Sequence, residues 1–212
     1  MLSNSLPKEV KQQLLTCFQS LPSNGEVFQI GVMLPRESES KAIRLCVEDV
    51  TNEEMLEYLN NIGWSDSGNQ LSSLLSKLSS LVDDIKLNFA IEDTTFPKIG
   101  LECYLHKQPK NSPKWKLFQD YLVKNKLCTL AQAKDILNWS GCSEQKNNQK
   151  FWQDNFGEAF TLDSPNFSSA IVRLLNHIKI VYQPNQPLQA KAYLLFGHRW
   201  LSQNGSLSEI RT

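Results

Sequence analysis

Along this chain, apolar and polar positions alternate with period two in six stretches, and between those stretches the spacing changes to the three-and-four rhythm of helices. VFQIGVML at 27–34 is β-branched and aromatic, and AIRLCVEDV at 42–50 alternates strictly. The polar link PRESESK joins them at hairpin length. IKLNFAIED (85–93) and KIGLECYLH (98–106) form a second such pair, through Thr94, Thr95 and Pro97. NHIKIVY (176–182) and QAKAYLLF (189–196) form a third, around the turn-prone run Gln183 to Pro187.

The helical segments fall between the hairpins. Residues 7–20 carry the stripe Val10, Leu14, Cys17, Phe18 and Leu21, with Ser5 as a capping residue and Pro7 in the first turn. Thr51 with Glu54 is a capping-box signature for a short helix ending near Asn60 and Asn61. A leucine stripe at 71, 74, 75, 78 and 81 marks a helix over 71–82. Ser112 and Pro113 open a helix over 114–124, and Thr129 with Gln132 caps the next, which ends at Trp139-Ser140-Gly141. FWQDNFGEAF and residues 168–175 read as further helix. Hairpins in series with helices between them predict an α+β fold: an antiparallel sheet of about six strands in three hairpins, helices covering one face, in an αββα-like rhythm. Residues 1–200 form a single α+β domain in this reading, and 201–212 a polar C-terminal tail.

Strand parity sorts the residues onto two faces. The apolar set is Phe28, Ile30, Val32; Ile43, Leu45, Val47; Leu87, Phe89, Ile91; Ile99, Leu101, Cys103, Leu105; Ile178, Ile180, Tyr182; and Ala192, Leu194, Phe196. These are expected to pack on the helices. The opposite set is Gln29, Arg44, Asn88, Glu102, Tyr104, His106, His177, Lys179, Lys191 and Tyr193. A sheet covered on one side shows such residues to water. The alternative is a face that curls round a ligand. Arg44, Lys179 and Lys191 supply cations beside Tyr104, Tyr193 and His177, a set suited to an anion. Glu102 among them is either a base or a counter-ion.

Charge and composition narrow the field. The 22 basic and 22 acidic residues cancel, so the basic footprint of a nucleic-acid binder is absent. No apolar run reaches the roughly 18 residues of a membrane helix. The N-terminus lacks the order of a signal peptide. The five cysteines (17, 46, 103, 128 and 142) have no C-x-x-C spacing, which points to reduced, mostly buried thiols in a cytoplasm rather than a disulfide framework or zinc ribbon. Phosphate-binding glycine loops, HExxH and GxSxG are missing, so no cofactor is expected. His106, His177 and His198 lack metal-ligand spacing and read as ordinary histidines, without a metal. The five tryptophans (64, 115, 139, 152 and 200) read as helix–sheet packing, with an exposed aromatic groove for a peptide as the rival.

The αββα rhythm, with strands such as HIKIVY and KAYLLF placing Lys and Tyr two apart, resembles the aromatic prenyltransferases of the ABBA barrel type. The resemblance implies an allylic diphosphate held by Lys179, Lys191 and Arg44, Tyr193 and Tyr104 lining the allyl cation, and Glu102 as the catalytic contact to the acceptor. Six strands are fewer than that barrel needs, which implies completion by a homodimer or a relative that binds without catalysing. Three functions therefore stand as expectations: a ligand- or peptide-binding accessory protein using the polar sheet face, a prenyltransferase-like transferase, and an interaction module using tryptophan-bearing helices. The expected partner is a small anionic ligand or a peptide, with neither nucleic acid nor membrane.

Overall fold

The computed structural model describes residues 6–32, 42–66, 70–92, 94–147, 150, 152, 154 and 167–202. Within these, five α-helices pack on one face of a seven-stranded antiparallel sheet. In chain order the elements are α1 (Lys8–Gln19), β1 (Glu26–Val32), β2 (Ile43–Glu48), α2 (Asn52–Asn61), α3 (Gln70–Ser79), β3 (Asp84–Ile91), β4 (Thr95–Tyr104), α4 (Lys114–Lys124), α5 (Leu130–Trp139), β5 (Gly141–Glu144), β6 (Phe167–Tyr182) and β7 (Gln189–Ser202). The strands run β1-β2-β3-β4-β6, with β5 also on the β4 side of β6 and β7 on its other side.

The local signals that set helix starts act as expected at two places. Thr51 and Thr129 each accept from the backbone three residues on, and Glu54 and Gln132 bond back, so both capping boxes form. At α3 the Asp66 carboxylate accepts from the Leu71 amide at 2.8 Å. α1 instead begins after Pro7 with no side-chain cap, and Ser5 lies outside the described residues.

Parity then builds the core in rows across the sheet. Val47, Leu87, Leu101 and Ile180 are cross-strand neighbours in one row, and Leu45, Phe89, Ile99 and Tyr182 in the next. All eight are buried and meet the leucines of α3 and Trp115, Phe118 and Leu122 of α4 in one cluster. Tyr58 of α2 meets Phe89 edge-on at 6.0 Å between ring centres.

Several expectations fail, each for a non-local reason. Residues 168–175, read as helix, are the first half of β6, where Ala170 to Arg173 pair with β5 on one side and the whole strand pairs with β7 on the other. The apolar run there is compatible with either period, and strand partners on both sides decide it. Phe28, Ile30 and Val32 do not pack under the helices; they are 38%, 53% and 62% exposed on the edge strand β1. A register shift between Val27 and Gln29 also changes the local parity, and Phe28 lies against the Lys86 ammonium, 4.7 Å from its ring centre. Ala192, Leu194 and Phe196, placed in the core by parity, are exposed on the other edge strand, β7. Phe18 of the α1 stripe is also exposed. The tail starts later than expected, because Leu201 and Ser202 belong to β7. The hairpin link at 33–41 and most of the 151–160 segment lie outside the described residues, although Trp152 is buried and both it and Asp154 are helical.

Leu101→Ala or Ile180→Ala will each cost about 2–5 kcal/mol by leaving a cavity beneath the helices. Lys191→Ala, at an exposed position, will cost under about 1 kcal/mol. Equilibrium chemical denaturation of the three variants measures the difference, and equal losses would overturn the assignment of faces.

Candidate functional site

The face opposite the helices carries its own rows. Lys86, Glu102, Lys179 and Lys191 are successive cross-strand neighbours on β3, β4, β6 and β7. Charge along this row runs positive, negative, positive, positive. The Lys179 ammonium is 2.8 Å from Glu102 Oε1, and both side chains are buried. Lys86 pairs with Glu48 of β2. Lys191 faces Lys179 directly and, among the described residues, has no ion-pair partner. Like charges placed opposite each other on a sheet repel, so this end of the row is electrostatically incomplete.

Beside the charges runs an aromatic row. The His177 ring lies 4.8 Å from Tyr104 and 4.3 Å from Tyr193, stacked on the latter. Tyr104 donates its hydroxyl to Glu102 Oε2 at 3.1 Å, and Lys179 sits over the Tyr193 ring at 5.1 Å. Burial holds the His177 imidazole below its ordinary pKa, and the nearby Lys179 and Lys86 charges push the same way against Glu102. The ring is therefore a neutral spacer at neutral pH. Burial, with the Glu102 charge next to it, raises the Tyr104 phenol, which stays a hydrogen-bond donor.

A cavity of about 620 Å³ opens next to these rows. That is within the ordinary size of small-molecule sites. Arg44, Lys98, Lys179 and Lys191 line it, and among the described residues no carboxylate does. Its apolar walls include Phe96, Pro97, Val181 and Tyr193. The Phe96–Pro97 wall is tied down from behind. The Trp64 indole donates to the Pro97 carbonyl at 3.0 Å, and Gln13 of α1 donates to Thr95 Oγ1 at 2.9 Å. Gly100 supplies the space for a lysine: a β-carbon there would come within 2.8 Å of Lys179 Cδ.

Four of the residues expected at the site, Arg44, Lys179, Lys191 and Tyr193, share this cavity. Glu102, Tyr104 and His177 do not line it; they form the packed platform at its side. Glu102, expected to contact an acceptor, is held by Lys179 and Tyr104, so its geometry is that of a counter-ion. His106 is apart from the site, its backbone amide bonded to Asp83, and His198 bonds Ser169, so the histidines do not gather. Cys103 is a buried thiol whose pKa burial raises. Trp64, Trp115 and Trp152 are buried, whereas Trp200 is exposed on β7.

Sequence reading missed Lys98 and Lys86, although the alternation that gave Glu102 and Asn88 also places them on this face. It also missed Gly100, whose signal was a glycine inside a strand. Phe96, near the start of β4, gave no such signal, and Pro97 reads in the sequence only as part of the link between β3 and β4. Comparison with known proteins adds no constraint: no family model, no curated protein and no solved structure matches the chain.

Two outcomes follow. Glu102→Gln leaves Lys179 buried without its counter-ion and will cost about 3–5 kcal/mol, whereas the double change Glu102→Leu, Lys179→Met will recover much of that loss; denaturation of the single and double variants is the check. For His177 the depressed folded pKa means that the unfolded chain binds the proton more readily. Its contribution to stability is therefore complete above the ordinary value of 6.5 and is lost as pH falls below it. Replacing His177 with Phe will flatten that part of the acid limb in a series of melts across pH; an unchanged limb would show that His177 does not carry it.

Proposed function

We propose that this chain is a ligand-binding accessory protein whose sheet-face cavity takes a small anion carrying an apolar or aromatic body. The observation that carries this reading is the meeting of Arg44, Lys98 and Lys191, with the Glu102-paired Lys179 beside them and no carboxylate among the described lining residues, on one cavity with aromatic and aliphatic walls. An empty site of this kind holds unrelieved repulsion between Lys191 and its neighbours, and a bound anion relieves it. Arg44 offers a planar fork to phosphate or carboxylate oxygens, and the lysines act as point charges. Tyr193 and Phe96 give the body of the ligand a flat surface. The free cysteines fit a reducing, cytoplasmic setting. No helix among the described residues is long and apolar enough to cross a membrane.

The transferase reading uses the same cavity. Diphosphate would sit on Arg44, Lys179 and Lys191, with Tyr193 beside an allyl group. Tyr193 lining the cavity together with the cations favours it. The engagement of Glu102 by Lys179 leaves that reading without a free carboxylate at the wall among the described residues. Release of pyrophosphate from dimethylallyl diphosphate in the presence of aromatic acceptors would separate a transferase from a binding protein.

In low salt, pyrophosphate and geranyl diphosphate will raise the thermal midpoint with increasing concentration, the second more than the first because it also covers the apolar wall. Added salt will weaken the response. Arg44→Ala and Lys191→Ala will remove it while leaving the unliganded midpoint nearly unchanged. Gly100→Ala will reduce it by moving the Lys179 stem. A wild-type midpoint that ignores both anions would overturn the proposal.

A further inference from the structure

The free edge of β7 is built unlike a protected one. Strand edges are usually blunted by shortness, charged side chains, proline, bulges or a covering element, and in β7 the charges stand only toward the two ends. β7 has 14 residues and contains no proline. Its one register shift falls on the β6 side, between Leu175 and His177. Among the described residues no strand pairs with its outer side. In its middle, Leu194, Leu195 and Phe196 are 46%, 41% and 63% exposed, on both faces of the strand at once. Its two charges, Lys191 and Arg199, flank this run, and neither is in an ion pair among the described residues.

We infer that the β7 edge accepts an acidic, apolar peptide as an added strand. Main-chain hydrogen bonds to the open edge supply affinity, and alternate side chains supply selection. Charge decides the occupant. β7 carries Lys191 and Arg199 and no acid. Pairing two β7 edges antiparallel about Leu195 sets Lys191 of one copy against Arg199 of the other, which like-charge repulsion disfavours. A strand with acids opposite Lys191 and Arg199 and apolar residues between them satisfies both the charges and the exposed run. The edge goes beyond the cavity reading and shares with it only Lys191 and Tyr193.

The test uses the full chain and blocked peptides of β7's length with valines in the middle and either glutamate or lysine at the two positions set opposite Lys191 and Arg199. The glutamate peptide will slow amide exchange along β7, and the same peptide N-methylated at alternate residues will not, because it cannot complete the ladder. Arg199→Glu, at an exposed position, will weaken the glutamate peptide by about tenfold and turn the preference to the lysine peptide. Arg44→Ala will lose the response to pyrophosphate and keep the peptide, so the two sites fail separately. The inference is overturned by equal binding of the N-methylated or lysine peptide, by no β7 protection, or by loss of the peptide in Arg44→Ala. It is also overturned by concentration-dependent self-association that protects β7 without peptide, which would give the edge to a second copy.

Discussion

Lys179 is buried on the face opposite the helices, its ammonium 2.8 Å from Glu102 and its stem lying over Gly100. An ammonium in that position is tolerated only while its counter-ion is in place, because an unpaired buried charge costs several kcal/mol. The pair is a direct cross-strand neighbour between β4 and β6, so it also fixes which residues meet across that seam. Once Lys179 is neutralised by Glu102, Lys191 is left without a partner on the row. The unpaired Lys191 is thus a consequence of how the neighbouring charge is satisfied.

The same seam joins the two faces of the sheet. Leu101 and Ile180, one residue along from the ion pair on each strand, are fully buried beneath the helices. A shift of one residue would bring Lys179 under α3 and α4 and expose Ile180, which neither face would accept. Hydrophobic burial on one side and ion pairing on the other therefore select one register. The cavity inherits its geometry from that register and from the first residues of β4, which Trp64 and Gln13 hold from the helical side.

The prenyltransferase resemblance rests on strand rhythm and on cations and tyrosines at alternating positions. Arg44, Lys179, Lys191 and Tyr193 line one cavity, a pattern that a diphosphate-binding enzyme would use. It is equally the pattern of a protein that binds an anion and does nothing to it, since the chemistry of transfer needs a group poised at the reacting atoms. The one acid that sequence reading offered for that role spends its two oxygens on Lys179 and Tyr104.

The sequence by itself determined the α+β class, the three hairpins, two capping boxes and most of the division of strand residues between core and opposite face. These are local properties: alternation follows from the geometry of a strand, and a cap from residues three apart. Even Arg44, Lys179, Lys191 and Tyr193 were legible together, because parity alone puts them on one side. Tertiary structure decided what depends on neighbours distant in the chain. It made 168–175 a strand by giving it partners on both sides. It placed Ile30, Val32, Leu194 and Phe196 in the open by making their strands edge strands. It set Glu102, which parity left as either a base or a counter-ion, against Lys179. Parity states which side of a strand a residue occupies; only the order of strands states what lies beside it.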